Sequence, residues 1–332
     1  VEFDHIQEPL YLIAVVSNPV RFKSRYRLFR EFVQRMIKTP GIRLVIVEHA
    51  FGDRPFEVTD DQTGRLLDDR EPIHIQVRGD QNHELWLKES LINLAVRRLP
   101  ASWKYIAWVD ADVEFVRPNW VSETIHALQH YSVVQPWSHS IDLSPNYDVV
   151  ANEWGNAVDK SFCAAWCDGD FIDVDPGYGL GGGDKRAARS HFGYAWAMRR
   201  EAFDALGGLI DWLVTGSADY HMSLAFAGFP WPTDASPGYV RRLEQFSKLC
   251  ELHIKQNIGY VPGLILHHWH GRKKQRGYIS RHEIIHASKF DPDRDLRFDW
   301  QGIPVLTGHN LILRDGLRKY FRSRNEDSID LN

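Results

Sequence analysis

The chain has 332 residues, 43% of them hydrophobic and 25% charged, with a formal net charge of −4. That balance excludes wholesale disorder and a uniformly basic nucleic-acid binder, while leaving room for a local basic patch. Three cysteines, Cys163, Cys167 and Cys250, cannot build a disulfide framework, and no second pair joins Cys163 and Cys167 in a structural zinc site. A reducing, cytoplasmic setting is expected. No apolar run nears the roughly 18 residues of a membrane span, and the opening VEFDHIQEPLYLIAVV lacks the basic start of a secretory signal.

Leu10 to Ser17, LYLIAVVS, is a short apolar run stopped at Asn18-Pro19, which suits a strand covered on both faces. Residues 24–38 place Leu28, Phe29, Phe32, Val33 and Met36 on one side and predict an amphipathic helix that Pro40-Gly41 ends. Arg43 to Val47 then predicts a second strand, so the chain opens β-α-β, with ligands expected beyond the C-terminal ends of the strands. After a polar stretch, Ile73 to Val77 reads as a strand, His83 to Leu99 as a helix and Trp103 to Val109 as a strand delivering Asp110 and Asp112. No G-x-G-x-x-G follows the first strand, which removes the main support for a nicotinamide enzyme. Residues 133–183 lack periodicity, and GYGLGGG at 177–183 has the composition of a lid or surface loop. His191 to Met198 predicts a strand, Arg199 to Leu206 and Ala218 to Ala227 short helices, and Tyr260 to His268 a strand ending in HHWHG. The expected organisation is one α/β domain over residues 1–271, with a mostly parallel sheet flanked by helices, and a basic, helical extension over 272–332 packed on it.

Asp110 and Asp112, at i and i+2 beyond a strand, share one side of it and suit a hard divalent cation that offsets charge on a diphosphate. His267, His268 and His270 are good ligands when neutral; strand parity groups His268 with His270, unless a turn at Gly271 breaks it. Asp219, at the start of a helix, reads either as a cap or as a general base for an acceptor hydroxyl.

In their order these segments resemble a GT-A-fold glycosyltransferase of bacterial or viral type, from the group of β-1,4-galactosyltransferases, chondroitin-polymerase type enzymes and family-two glycosyltransferases. The resemblance runs through NPVRFKSRYRLFREF with LVIVEHAF, WLKESLINLAVRRL, YIAWVDADVEF, HFGYAWAMRREAFDALGGLIDWLVTGSADYHMSLAFAG and YVPGLILHHWHG. It implies a Rossmann-like fold, manganese or magnesium as cofactor and a nucleoside diphosphate sugar, a UDP-sugar, as donor. By the same resemblance Arg21, Arg25, Glu48, His49 and Asp110 surround the nucleotide; Asp112 ligates the metal with His267 or His270; Gly193 and Trp196 line the sugar pocket; and Asp219 is the catalytic base of an inverting transfer. Ala218 and His221 stand where that pattern has acids. Arg272 and Lys273, with Lys274 and Arg276, form a basic run that can clamp a diphosphate, touch a phosphate-bearing acceptor or track nucleic acid. Acceptors open to this reading are glycans, lipid-linked or other hydroxyls, and a modified base in phage or viral DNA. A catalytically inactive carbohydrate or nucleic-acid binding module is the competing class, and a metal-dependent hydrolase a third.

Overall fold

The computed structural model describes residues 8–58, 71–151, 155–171, 190–229, 235–277 and 280–329. The GYGLGGG segment lies outside them. Four strands, β1 (Leu10–Ser17), β2 (Ile42–Phe51), β3 (Ile73–Gly79) and β4 (Tyr105–Val109), run parallel, with β1 between β2 and β4. β1 is almost wholly buried because both of its faces are covered. Leu10, Leu12, Ala14 and Val16 pack with Phe29, Phe32, Val33 and Met36 of helix α1 (Lys23–Met36), while Tyr11 and Ile13 face Leu91, Ile92 and Ala95 of helix α2 (Lys88–Val96). The period of two along the strand thus feeds two cores.

Helix α2 begins at Lys88, later than the spacing predicts. Asp80 accepts from the Asn82 amide at 2.7 Å and also meets the His83 ring, closing a separate 3-10 turn at Gln81–His83. Every residue from Glu89 to Val96 is buried, two charged or amide side chains among them.

Short strands also run from β4 into the stretch that lacks periodicity. β5 (Val113–Phe115), β6 (Val133–Gln135), β7 (His139–Leu143), β8 (Val149–Val150) and β9 (Asp159–Ser161) are each five residues or fewer, too short to display a pattern. Helices α3 (Trp120–His130) and α4 (Phe162–Cys167) lie among them. The expected strand over 191–198 is divided into β10 (Ser190–His191) and β11 (Ala195–Arg199), because Tyr194 takes the left-handed φ of 72° that no strand residue adopts. Likewise Pro262-Gly263 divides the expected strand over 260–268 into β12 (Ile258–Tyr260) and β13 (Leu264–His267), which belong to different sheets. Strand order in the main sheet is β12-β6-β11-β4-β1-β2-β3, with β11 antiparallel to both neighbours. A smaller sheet runs β10-β9-β7-β13-β5, with β8 paired to β7.

Helices α5 (Arg200–Leu206), α6 (Ala218–Ala227) and α7 (Pro237–Leu249) complete the body. After them come helices α8 (Ser280–Ser288) and α9 (Pro292–Asp295), the hairpin of β14 (Leu296–Phe298) with β15 (Pro304–Leu306), and helix α10 (Leu311–Ser323). Phe290, Leu296, Ile303, Leu313 and Leu317 share one apolar cluster with the α2 face of the main sheet. The architecture is the mostly parallel α/β class expected from the sequence, a GT-A-like sheet with a C-terminal extension.

Candidate active site

Two strand registers create the central cluster. β13 pairs antiparallel with β5, setting His267 opposite Val113, and parallel with β7, setting it opposite Asp142. The His268 amide donates to the Asp112 carbonyl at 2.8 Å, tying the end of β13 to the turn after β4. Asp112 Oδ2 therefore lies 3.7 Å from His267 Nε2 and 2.8 Å from His270 Nε2. Ligand atoms of these three residues all fall within 4.8 Å of one another. Parity fails here because β13 ends at His267, so His268 to His270 no longer follow the strand's alternation. His268 points away, its Nε2 3.0 Å from Glu114.

The surroundings suit a cation. Asp112 Oδ1 is buried with no hydrogen-bond partner among the described residues, as expected of an atom awaiting a ligand. His267 Nδ1 is 2.6 Å from Asp142 Oδ1, and the Tyr194 hydroxyl donates to the same oxygen at 3.2 Å. A carboxylate on one ring nitrogen fixes the imidazole and aims the other nitrogen at a metal. Burial alone would raise the Asp112 carboxyl, but His270 and His267 hold it well below the usual carboxylate range. Burial opposes a charge on His267, yet Asp112 and Asp142 push its pKa up to about 9. Burial and the Arg276 charge push His270 down to about 4. One anion and two imidazoles, one carboxylate-backed, form a donor set for a divalent ion such as manganese.

A second cluster adjoins the first through Asp110. Lys88 Nζ is 2.9 Å from Asp110 Oδ1 and 3.9 Å from Glu89 Oε1. Burial opposes the Lys88 charge, but Asp110, Glu89 and Asp219 together raise its pKa. Asp219, in the first turn of α6, is half-buried, and a Cβ on Gly193 would fall 2.7 Å from its Oδ2. Glycine at 193 is what allows the β10–β11 connection to lie against this carboxylate. The turn entering α6 passes through Gly216 at φ 85°, which glycine adopts freely, and holds Ser217 in the left-handed region at φ 74°, which is strained for a side-chain-bearing residue. Such backbone collects at working sites. Burial pushes Glu89 up to about 7, with Lys88 opposing and Asp219 adding to the rise.

That shift makes a stability prediction. A carboxyl whose folded-state pKa exceeds its ordinary 4.5 contributes stability fully present below that pH and lost as pH climbs through about 7. Glu89→Gln removes the ionisation and keeps the shape, so it should gain on wild type by up to about 3 kcal/mol between pH 4.5 and pH 8. Urea denaturation of both proteins at pH 5 and pH 8 checks this; an equal gap at the two pH values would contradict it.

The other sequence-derived candidates are engaged as follows. Glu48 is buried and accepts from the Val58 amide at 3.2 Å, with His74 Nε2 3.3 Å away. Ser17 Oγ lies 3.1 Å from His49 Nδ1, and burial with the nearby His83 pushes this imidazole down to about 3. His49 Nε2 sits where a Cβ on Gly79 would be, facing the β3 backbone. Arg21 is exposed, with Glu57 at 3.3 Å. Arg25 forms a two-point ion pair with Glu326 and donates to the Ser17 carbonyl at 3.1 Å. Burial alone would raise Glu326, but Arg25 and Arg324 hold its carboxyl well below the usual range. Trp196 is a core residue, 2% exposed, whose indole N–H donates to the Phe192 carbonyl at 2.7 Å. His221 is buried 3.0 Å from the Tyr239 hydroxyl. Arg272 precedes a 3-10 turn at Lys273–Arg276, and the side chains of Lys273 and Lys274 lie outside the described residues.

Sequence reasoning passed over Lys88, Glu89, Asp142 and Tyr194. A charged pair opening the otherwise apolar segment LINLAV was a usable signal for the first two; nothing local marks the others.

No known protein-family signature matches the chain, and no curated protein matches it. Solved structures similar to it include residues 1–349 of S. aureus TarS, 10% identical with a TM-score of 0.40 over 65% of this chain and 54% of that one. The catalytic domain of Drosophila β1,4-galactosyltransferase 7, in complex with xylobiose, is 11% identical with a TM-score of 0.35 over 90% and 92%. A Desulfovibrio desulfuricans G20 protein assigned as a nucleotide-diphospho-sugar transferase is 13% identical with a TM-score of 0.34 over 94% and 98%. This chain spans about half of the TarS fragment. Likenesses this distant leave the site to be argued from its own geometry. No helix among the described residues is long and apolar enough to cross a membrane.

Proposed function

We propose that the chain transfers a sugar from a nucleoside diphosphate donor, a UDP-sugar, to an acceptor hydroxyl. The observation that carries this reading is the convergence of Asp112, His267 and His270 beside the Lys88–Asp110 pair and Asp219, beyond the C-terminal end of β4. That edge of a mostly parallel sheet is where open α/β folds take ligands. Asp112, His267 and His270 would hold manganese or magnesium, and a divalent ion there would supply neutralisation of the charge that grows on a departing diphosphate. Lys88 keeps Asp110 in place beside the residues that would hold the ion. Asp219 accepts the proton of the acceptor hydroxyl as its oxygen bonds the anomeric carbon and the bond to the diphosphate oxygen breaks. Attack from the face opposite the leaving group inverts the configuration.

In this reading Arg21, Asp110, Gly193 and Arg272 are assigned to the donor. Arg25, Glu48, His49 and Trp196 act behind them, because their polar atoms or rings already serve packing and ion pairing within the protein.

A thermal-shift screen of nucleoside diphosphate sugars with Mn²⁺, followed by mass measurement of products, tests the proposal. A UDP-sugar that raises the melting temperature only with Mn²⁺, and then releases UDP, is the expected result. Stabilisation by DNA or free glycan alone, with every donor ineffective, would support the binding-module class instead.

A further inference from the structure

We infer that residues 324–328, at the far end of the chain, are a working part of the metal centre: they hold His270 in its ligating position. This rests on the metal site proposed above. The two residues flanking His270 both engage the segment. Trp269 donates its indole N–H to the Ser328 carbonyl at 2.7 Å. Gly271, at φ 86°, packs so tightly beneath it that a Cβ there would lie 2.7 Å from the Asn325 carbonyl oxygen and 2.9 Å from Glu326 Cα. Glu326 Oε2 itself is 3.9 Å from His270 Nδ1.

The other side of the segment is anchored to α1, at the opposite end of the sequence. Asp327 accepts from the Lys23 and Ser24 amides at 3.0 and 2.7 Å, and Ser24 Oγ donates to the Glu326 carbonyl at 2.9 Å. The buried Glu326 carboxylate joins Arg25 of α1 to the buried Arg324. His270 follows the end of β13 by three residues, so no strand pairing fixes it. What fixes it is a strap seated on α1, with Arg25 as an anchor and Glu326 as a positioning residue.

The test measures Mn²⁺ affinity by titration calorimetry, and the electron paramagnetic resonance spectrum of bound Mn²⁺, in wild type, Glu326→Gln, Trp269→Phe and the control Asp112→Asn. Loss of outer contacts around a metal ligand weakens binding roughly 10–100-fold. That weakening, with an altered Mn²⁺ spectrum, is expected for both strap variants. Trp269→Phe removes one hydrogen bond and no charge, so it reports on the strap even if Glu326→Gln fails to fold. A merely structural strap would lower the melting temperature of the metal-free protein and leave the Mn²⁺ affinity of folded molecules unchanged. Asp112-dependent binding in wild type, with Trp269→Phe binding Mn²⁺ as tightly, overturns the strap's role and leaves the metal site standing. Binding that is absent, or indifferent to Asp112, overturns both.

Discussion

Asp112→Asn is expected to weaken Mn²⁺ binding by at least about 100-fold, close to 3 kcal/mol, and to lower sugar transfer by on the order of 1,000-fold. Asp112 is the single acid in the proposed ligand set, and its Oδ2 is the atom both imidazoles approach. Asparagine keeps the size but surrenders the charge, leaving only neutral donors for a cation that prefers anionic oxygen. The backbone contact survives, because the Asp112 carbonyl and not its side chain accepts from the His268 amide. Folding should therefore persist, and circular dichroism in EDTA separates lost binding from lost structure. The transfer deficit follows from several kcal/mol of charge stabilisation lost at the leaving group. Mn²⁺ that raises the melting temperature of wild type and Asp112→Asn equally would remove Asp112 from the ligand set.

The second large effect is expected at Asp219. Replacing it with asparagine should lower kcat by roughly 100- to 10,000-fold, the usual contribution of a positioned base, with donor binding nearly unchanged. Its carboxylate lies beside the Gly193 backbone and within the field of Lys88. A purely structural role as a helix N-terminal acid would contribute only about 0.3–1 kcal/mol of stability and would not touch turnover. Gly193→Ala offers an independent displacement of the same group, since the new methyl would meet Asp219 Oδ2 at 2.7 Å. An intermediate loss of turnover is expected there, with Mn²⁺ affinity retained. Near-normal kcat in Asp219→Asn, measured by UDP release, would reject the base assignment.

The two clusters differ in how far the sequence announces them. Asp110 and Asp112 follow a buried apolar run, and His267 to His270 follow another, so short local patterns point to both. The three-residue metal cluster was legible as a set of candidates, but not which histidines share it. Strand parity alone pairs His268 with His270, whereas the strand ends at His267 and the path beyond it brings His267 and His270 to Asp112 and His268 to Glu114. For Arg25 the resemblance implies a nucleotide contact, and the fold pairs its guanidinium with Glu326, 301 residues away.

Helix α1 shows the division at a single element. Its apolar stripe is readable from residues 24–38, but no side chain within its own sequence caps its first turn. The cap is Asp327, about 300 residues later. Sequence by itself determined the α/β class, the order β1-α1-β2, the two-faced burial of β1 and the segments that carry the acids and histidines. All of these follow from periods of 2 and 3.6 residues and from proline and glycine breaks, which are local. Only the tertiary structure decided that Asp142 backs His267, that Lys88 bridges Asp110 and the neighbourhood of Asp219, and that the chain's last described turn closes on the candidate metal cluster. Those contacts are created by strand register and the path of the chain, and a pairing across 125 or 301 residues leaves no trace in any local period.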